Sequence, residues 1–565
     1  MRLRTLSMAC AHSCEFTTNI RIHDERWVGS MSKILLLEFN EICPPLLDKW
    51  MGEGKLPNFA QLYNSAQVFT TIADVFDPDC LEPWIQWYSI HTGLPYDEHK
   101  IFHLTDGPKA DHPDIWRRLQ ALGRSVMNCG SMNARALAGE GVFYLPDPWC
   151  SNEPAFPSEI EVFKNVMAKL VQESTRGLVL TVRELLPFLT FSIGHGLAAD
   201  TIRAILTQLS SERISQADVK WRRVALADRL QFDLFRYYYR SIRPDFATFF
   251  INSTAHLQHA YWRHMDPDAF SLKPSSQELA SYRNAVLFGY QSMDALLRRF
   301  SALVDQDTTI ILCSALSQQP FLKRENRGGQ HFYRLRDVAG FLDLIRVRPR
   351  RVEPVMTHQY LFRFDNHAEA EQTAAALRQI KLGDQEVFGA TVTVNDVYMG
   401  CQMYDKLAED GAIYGMLGRN EPVSFFELFY AIDAVKSARH HPEGVLWLRT
   451  GQHARHSGQV SILDIAPTVY DLIGVGGMIP RDANRGTSLV PQFRRDFQPE
   501  LRRAAEQTRA TIRGRSRLRS SDSRRSIDER NRTGLHRWGQ IPSFSRRAGN
   551  SVDFLHKPPV WPRKW

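Results

Sequence analysis

The run Phe246–Ile251 is apolar without interruption, and it is followed at once by the polar stretch Asn252-Ser253-Thr254-Ala255-His256-Leu257-Gln258-His259. A short, continuous apolar run bounded by polar residues reads as a strand buried on both faces, the strand type of a parallel sheet covered by helices. Lys33–Phe39 reads the same way, and 125–129 and 309–313 add two more strands. Helical patterns at 114–122 and 279–300 alternate with these runs. Such alternation predicts an α/β fold with a mostly parallel central sheet and helices on both faces. In sheets of this kind ligands gather beyond the carboxyl ends of the strands. His256 and His259 lie three residues apart just past such an end, which admits two readings. One is a metal-binding turn, because imidazoles at i and i+3 share a helix face and neutral imidazole is a common metal ligand. The other is a polar helix start whose histidines cap and pack.

At 565 residues the chain accommodates one large α/β domain with insertions. Residues 31–490 are expected to form that domain. Positions 151–240 lack strand signals and read as a helical insertion. A small β-α-β insertion is expected near 350–420, with strands at 359–364 and 390–394 and a helix at 368–379. Eight cysteines are scattered without metal-type spacing, so neither a disulfide framework nor a zinc ribbon is implied. No apolar run is long enough to span a bilayer; the nearest, 185–197, is short and holds His195. The first thirty residues carry no apolar signal core and read as a misplaced start codon or a disordered segment. From Arg494 to Trp565 nineteen Lys and Arg face seven Asp and Glu, a surplus of +12. The whole chain is +8, so the remainder carries −4 and the basicity belongs to the tail. That tail has no groove-reading motif and is expected to be solvated and disordered rather than a nucleic-acid arm. A cytoplasmic location follows from the same features as an expectation.

Four segments, in order, resemble the alkaline phosphatase superfamily, and within it the type I phosphodiesterase/nucleotide pyrophosphatase-like and phosphomutase-like branch. The first is Ile34-Leu35-Leu36-Leu37-Glu38-Phe39-Asn40-Glu41-Ile42 with the following Gly54-Lys55-Leu56-Pro57-Asn58-Phe59. The second is Ser89-Ile90-His91-Thr92-Gly93 with the later His99. The third is the His256/His259 segment. The fourth is His440-His441-Pro442-Glu443-Gly444 with the 461–469 segment. The resemblance implies a hydrolase or phosphotransferase acting on a phosphate ester or diester. Typical members hold two metal ions about 4 Å apart that clamp the attacking and leaving oxygens.

Departures from the pattern reshape that expectation. The first acid is Glu38 where Asp is usual, the Asp-x-x-x-His pair becomes Ala255-x-x-x-His259, and the Ser-Asp-His-Gly turn becomes Ser314-Ala315-Leu316-Ser317. By the family's pattern one metal position keeps only Glu38 and the other keeps His259 and His440. The nucleophile position falls on Pro83; Cys80, three residues earlier, is the candidate thiolate, with a buried structural thiol as its alternative. The spacing Cys80-Leu81-Glu82-Pro83-Trp84 excludes a sulfatase, which needs Cys-x-Pro-x-Arg. The expected site is therefore reduced to at most one divalent ion, with Zn²⁺ favoured by imidazole ligands. Its candidate ligands are Glu38, His256, His259, His440 and His441, with Asn40, Glu41 and Asn252 beside them. The competing reading is a pseudoenzyme that keeps the fold for binding. Small-molecule phosphate esters are the expected partners in the first case.

Overall fold

A computed structural model describes residues 33–493 apart from 78–79, 174–179, 357 and 417–420. The expectations for residues 1–30 and for the basic tail lie outside the described residues. The central sheet has eight strands, here numbered β1 (Lys33–Phe39), β2 (Ala66–Ile72), β3 (Val126–Cys129), β4 (Val142–Leu145), β5 (Phe246–Ile251), β6 (Thr308–Ser314), β7 (Glu443–Arg449) and β8 (Ala454–Ser461). Their order is β8-β2-β7-β6-β1-β5-β3-β4. Every pairing is parallel except the two made by β7, which runs antiparallel between β2 and β6. The α/β class with a mostly parallel sheet agrees with the sequence reading, and the reason is burial. β5 is buried at all six positions, and β1 at all but Lys33. Gly444 lets β7 enter the sheet, because a Cβ there would meet the Ser314 carbonyl oxygen at 2.0 Å.

β1 occupies the middle of the sheet, with Phe39 opposite Ile251 of β5 and Glu38 opposite Cys313 of β6. The ends of β1, β5 and β6 therefore lie side by side. Two helices start at this edge. Pro83–Thr92 has Pro at its first position, where no intrahelical donor is needed, and stops at Gly93 in the left-handed region (φ +71°). Ser253–Met265 follows β5 directly.

Between β4 and β5 come the helices Glu161–Gln172, Val182–Gly194, Ala199–Ile214 and Val224–Ile242. The last of these joins the main core, as the rings of Phe232 and Phe235 pack on Phe249 and Phe300 at 4.9–6.4 Å. Later in the chain, strands Gln359–Arg363 and Phe388–Thr393 flank the helix His367–Gln379. Asp396–Cys401 pairs antiparallel with both and lies between them, so this is a split β-α-β unit, with Arg351–Val355 on its edge. It has its own apolar core. It is tied to the body through Arg363, which binds Glu353 at 2.7 and 2.9 Å, Asp396 at 2.6 Å and Thr105 at 3.3 Å.

Asp228 of the Val224–Ile242 helix accepts a hydrogen bond from the hydroxyl of Ser253, the first residue of the helix that carries His256 and His259. Burial raises the Asp228 carboxyl to about 7, outweighing that bond. A carboxyl whose native pKa lies above its unfolded value stabilises fully below the unfolded pKa, near 4, and loses that contribution as pH rises through about 7. Chemical denaturation should therefore reveal a component on the order of 4 kcal/mol that disappears between about pH 4 and 8. Asp228→Asn should lack it, and a wild-type-to-variant difference that is constant with pH would contradict the assignment.

Candidate metal centre

Past the last residue of β1 the chain turns sharply. Asn40 donates its N–H to the Ile251 carbonyl at 3.1 Å, continuing the sheet by one residue, and Glu41 then adopts φ +59°. A non-glycine residue in this region is strained and persists only when its surroundings hold it there. Here they do. The Glu41 carboxylate is 3% exposed and accepts from Asn40 Nδ2 at 2.9 Å and from Gln318 Nε2. Two imidazoles meet it from the cleft side: His259 Nε2 lies 3.2 Å from Oε2, and His440 Nε2 lies 3.6 Å from Oε1. One potential ligand atom from each of Glu41, His259 and His440 lies within 4.8 Å of the others.

Each imidazole is oriented from behind. His259 Nδ1 donates to the Ala438 carbonyl at 3.1 Å, which turns Nε2 toward Glu41. His440 Nδ1 faces Glu82 Oε2 at 3.4 Å and turns its own Nε2 inward. A carboxylate or carbonyl behind the ring is the usual support of a metal-ligating histidine. The segment that carries His440 is stitched to the helix of His259, since Ser437 donates both its N–H and its hydroxyl to the His259 carbonyl, at 2.8 and 3.0 Å.

The charges are strongly coupled. Burial alone would raise the Glu41 carboxyl, but His440 and His259 hold it well below the usual carboxylate range. Burial alone would lower His440, yet the Glu41 and Glu82 carboxylates raise it to about 9. Glu82 itself is pushed upward by burial, against His440 and Lys436. Two imidazoles and one carboxylate, side by side with solvent access on one side, fit the donor set of a mononuclear Zn²⁺ centre that keeps an open position.

The sequence candidates are placed as follows. His259, His440, Glu41 and Asn40 meet, and Asn252 joins them by accepting from Asn40 Nδ2 at 2.7 Å. Glu38 turns to the opposite face of β1, as the pleat requires for a residue between Leu37 and Phe39. It is fully buried against His91 Nε2 at 2.8 Å and lies outside the cluster. His441 alternates with His440 along its strand and instead accepts from the Glu443 N–H at 3.3 Å. His256 is solvent-exposed and stands outside the trio. Cys80 lies just before the Pro83–Thr92 helix as a half-buried thiol, and it too is outside the cluster. Ala315 and Leu316 are fully buried, and Leu316 packs with Ala73 and Leu81 in an apolar cluster.

Glu82 and Gln318 escaped the sequence reading. Glu82 immediately precedes Pro83, the position to which the nucleophile count led, and a carboxylate at a helix start beside that position was the available signal. Gln318 carries no sequence signal; only the pairing of its strand with that of His440 brings it to Glu41. A Ser–His–Asp set also occurs nearby and reads as structural. His99 Nδ1 accepts from the Ile101 N–H at 3.0 Å, so Nε2 is the protonated nitrogen and donates to Ser89 Oγ at 3.0 Å. The Ser89 hydroxyl in turn donates to Asp74 at 3.0 Å. A histidine that donates to the serine is not its general base.

No protein-family model matches this chain, and no curated protein matches it. Among solved structures it is similar to phosphonoacetate hydrolase from Sinorhizobium meliloti 1021 in complex with phosphonoformate (13% identity, TM-score 0.36, covering 80% of this chain and 96% of that one). It is also similar to murine ectonucleotide pyrophosphatase/phosphodiesterase 5 (10%, 0.36, 81% and 97%) and to alkaline phosphatase PafA (11%, 0.38, 81% and 98%). Among the described residues no helix is long and apolar enough to cross a membrane.

A centre of this composition makes a direct expectation for metal binding. Because His440 must lose its proton to serve as a ligand, apparent zinc affinity should rise about tenfold per pH unit below its pKa, with proton uptake by buffer on binding. Glu41→Gln, His259→Ala and His440→Ala should each abolish binding measured by calorimetry and elemental analysis. His256→Ala and His441→Ala should leave stoichiometry unchanged.

Proposed function

We propose that this protein is a hydrolase or phosphotransferase of phosphate esters or diesters, acting through a single divalent ion, Zn²⁺ by its donor set, held by Glu41, His259 and His440. The observation that supports this reading most is the convergence of those three ligand atoms, each backed on its far side by a hydrogen-bonding or ionic partner. The ion would supply Lewis-acid polarisation of a phosphoryl oxygen and acidify a water molecule. The chain supplies the rest. Asn40 and Gln318 hold the Glu41 carboxylate in place, while Ala438 and Glu82 set the rings of His259 and His440. Glu82, behind the His440 ring, would hold that imidazole in its orientation and tune it as a ligand.

A metal-dependent binding protein is the second reading, and the apolar filling around Leu316 favours it. Where typical two-metal members carry ligands for a second ion, this chain has Ala315 and Leu316, and Pro83 stands at the nucleophile position. Turnover of bis(p-nitrophenyl) phosphate and p-nitrophenyl phosphate by the zinc-loaded full chain separates the two. The hydrolase reading expects turnover that is lost at least a hundredfold in His259→Ala and His440→Ala and tenfold to a hundredfold in Glu82→Gln. One bound zinc without turnover on either ester supports the binding protein. Failure to bind any divalent ion removes both.

A further inference from the structure

Lys436 belongs to no part of the centre described so far. It ends the strand Phe429–Lys436, at a register break against Gln330–Leu335, and directly precedes Ser437, whose backbone and side chain both bind the carbonyl of His259. Two more steps along the chain reach Ala438, which orients the His259 ring, and His440 follows. The lysine is thus carried on the segment that builds the metal centre. Its ammonium lies 4.9 Å over the Phe321 ring and is half-buried. Among the described residues it forms no hydrogen bond and no ion pair within 4.0 Å. Its charge is nonetheless felt by Glu82 and His440 of the centre, and it feels Glu41 and Glu82 in return.

An ammonium partly withdrawn from water, with carboxylates near but none within ion-pair distance, gains from an anion that contacts it directly. Two further cations, Lys323 and Arg439, act on it and likewise have no ion pair among the described residues. These three cations, none in an ion pair among the described residues, offset the Glu41 and Glu82 carboxylates and leave positive charge for an anion to meet. The charge balance agrees. One divalent ion would be offset by the Glu41 and Glu82 carboxylates together, whereas a two-ion clamp spreads twice the positive charge over the phosphoryl oxygens. With the second ion's ligand positions filled by Ala315 and Leu316, a different cation has to meet the remaining oxygen charge.

We infer that Lys436 binds a non-bridging oxygen of the substrate's phosphoryl group, supplying beside the single ion the positive charge that a second ion would otherwise bring. The inference rests on the proposed phosphoryl chemistry of the same site. Its test is built to fail separately. Inorganic phosphate is titrated calorimetrically into the full-length protein, both metal-free and loaded with one equivalent of zinc and freed of excess metal. The variants are Lys436→Met, which keeps the aliphatic stem against Phe321, and Lys436→Arg, which keeps the charge.

The expected result is phosphate binding by the wild type in both forms, weakened at least tenfold in Lys436→Met and kept within about threefold in Lys436→Arg. Zinc stoichiometry and melting temperature should be unchanged in both variants. Equal phosphate affinity in Lys436→Met and wild type overturns the inference while leaving the metal centre intact. Absence of phosphate binding by the wild type at millimolar concentration overturns it as well. If zinc does not bind, the metal reading fails, and the metal-free titration still decides the role of Lys436. Should Lys436→Met fail to fold, Lys436→Arg and the ionic-strength dependence of wild-type binding decide. A wild-type phosphate affinity indifferent to salt would contradict a cationic anchor.

Discussion

The site depends on one carboxylate held in a strained backbone conformation. Glu41 sits in the left-handed region at the end of the central strand, almost fully buried, and this is affordable because four groups converge on its two oxygens. Two amides come from Asn40 and Gln318, and two imidazoles come from His259 and His440. A buried carboxylate stripped of such partners would be driven to neutrality. Everything that places those partners is therefore part of the site. The parallel register of β1 and β5 sets Asn40 beside Asn252. The antiparallel pairing of the His440 strand with Ser317–Pro320 sets Gln318 across from His440. The hydrogen bonds from Ser437 then fix the distance between the two histidines.

A second consequence follows from what fills the neighbouring space. Leu316, Ala73 and Leu81 form a small dry cluster, and Ser314 is occupied with the Ile42 N–H at 3.0 Å and the Leu316 carbonyl at 2.6 Å. Polar ligands there would have required either a second ion or a costly set of unpaired groups. Alanine and leucine at these positions offer no ligand atom, so the space needs no ion. Under the reading proposed above, the charge beside the site would come from protein groups, Lys436 first among them. The buried Glu38–His91 pair contributes differently. It clamps the Pro83–Thr92 helix to the central strand from the other face, and that helix is the one that begins beside Glu82.

Much of this architecture was legible in the linear chain. Uninterrupted apolar runs at Lys33–Phe39 and Phe246–Ile251 determine strands buried on both faces, because only a sheet covered on both sides can hide every side chain of such a run. The alternation with helical segments determines a mostly parallel sheet, and the polar residues after each run mark the edge where chemistry gathers. Alanine and leucine at 315 and 316 determine that those positions hold no ion. Tertiary structure alone decided which neighbour in each pair serves. Glu41 was preferred over Glu38 by the pleat of β1 and by a backbone turn to φ +59°. His440 was preferred over His441 by the alternation of a four-residue strand whose register is set by a partner more than a hundred residues away. Glu82 and Gln318 meet the histidines and Glu41 through contacts between distant segments. A residue's type and spacing report what chemistry it can do, but the direction its side chain faces is fixed by register and packing, which are properties of contacts between segments remote in sequence.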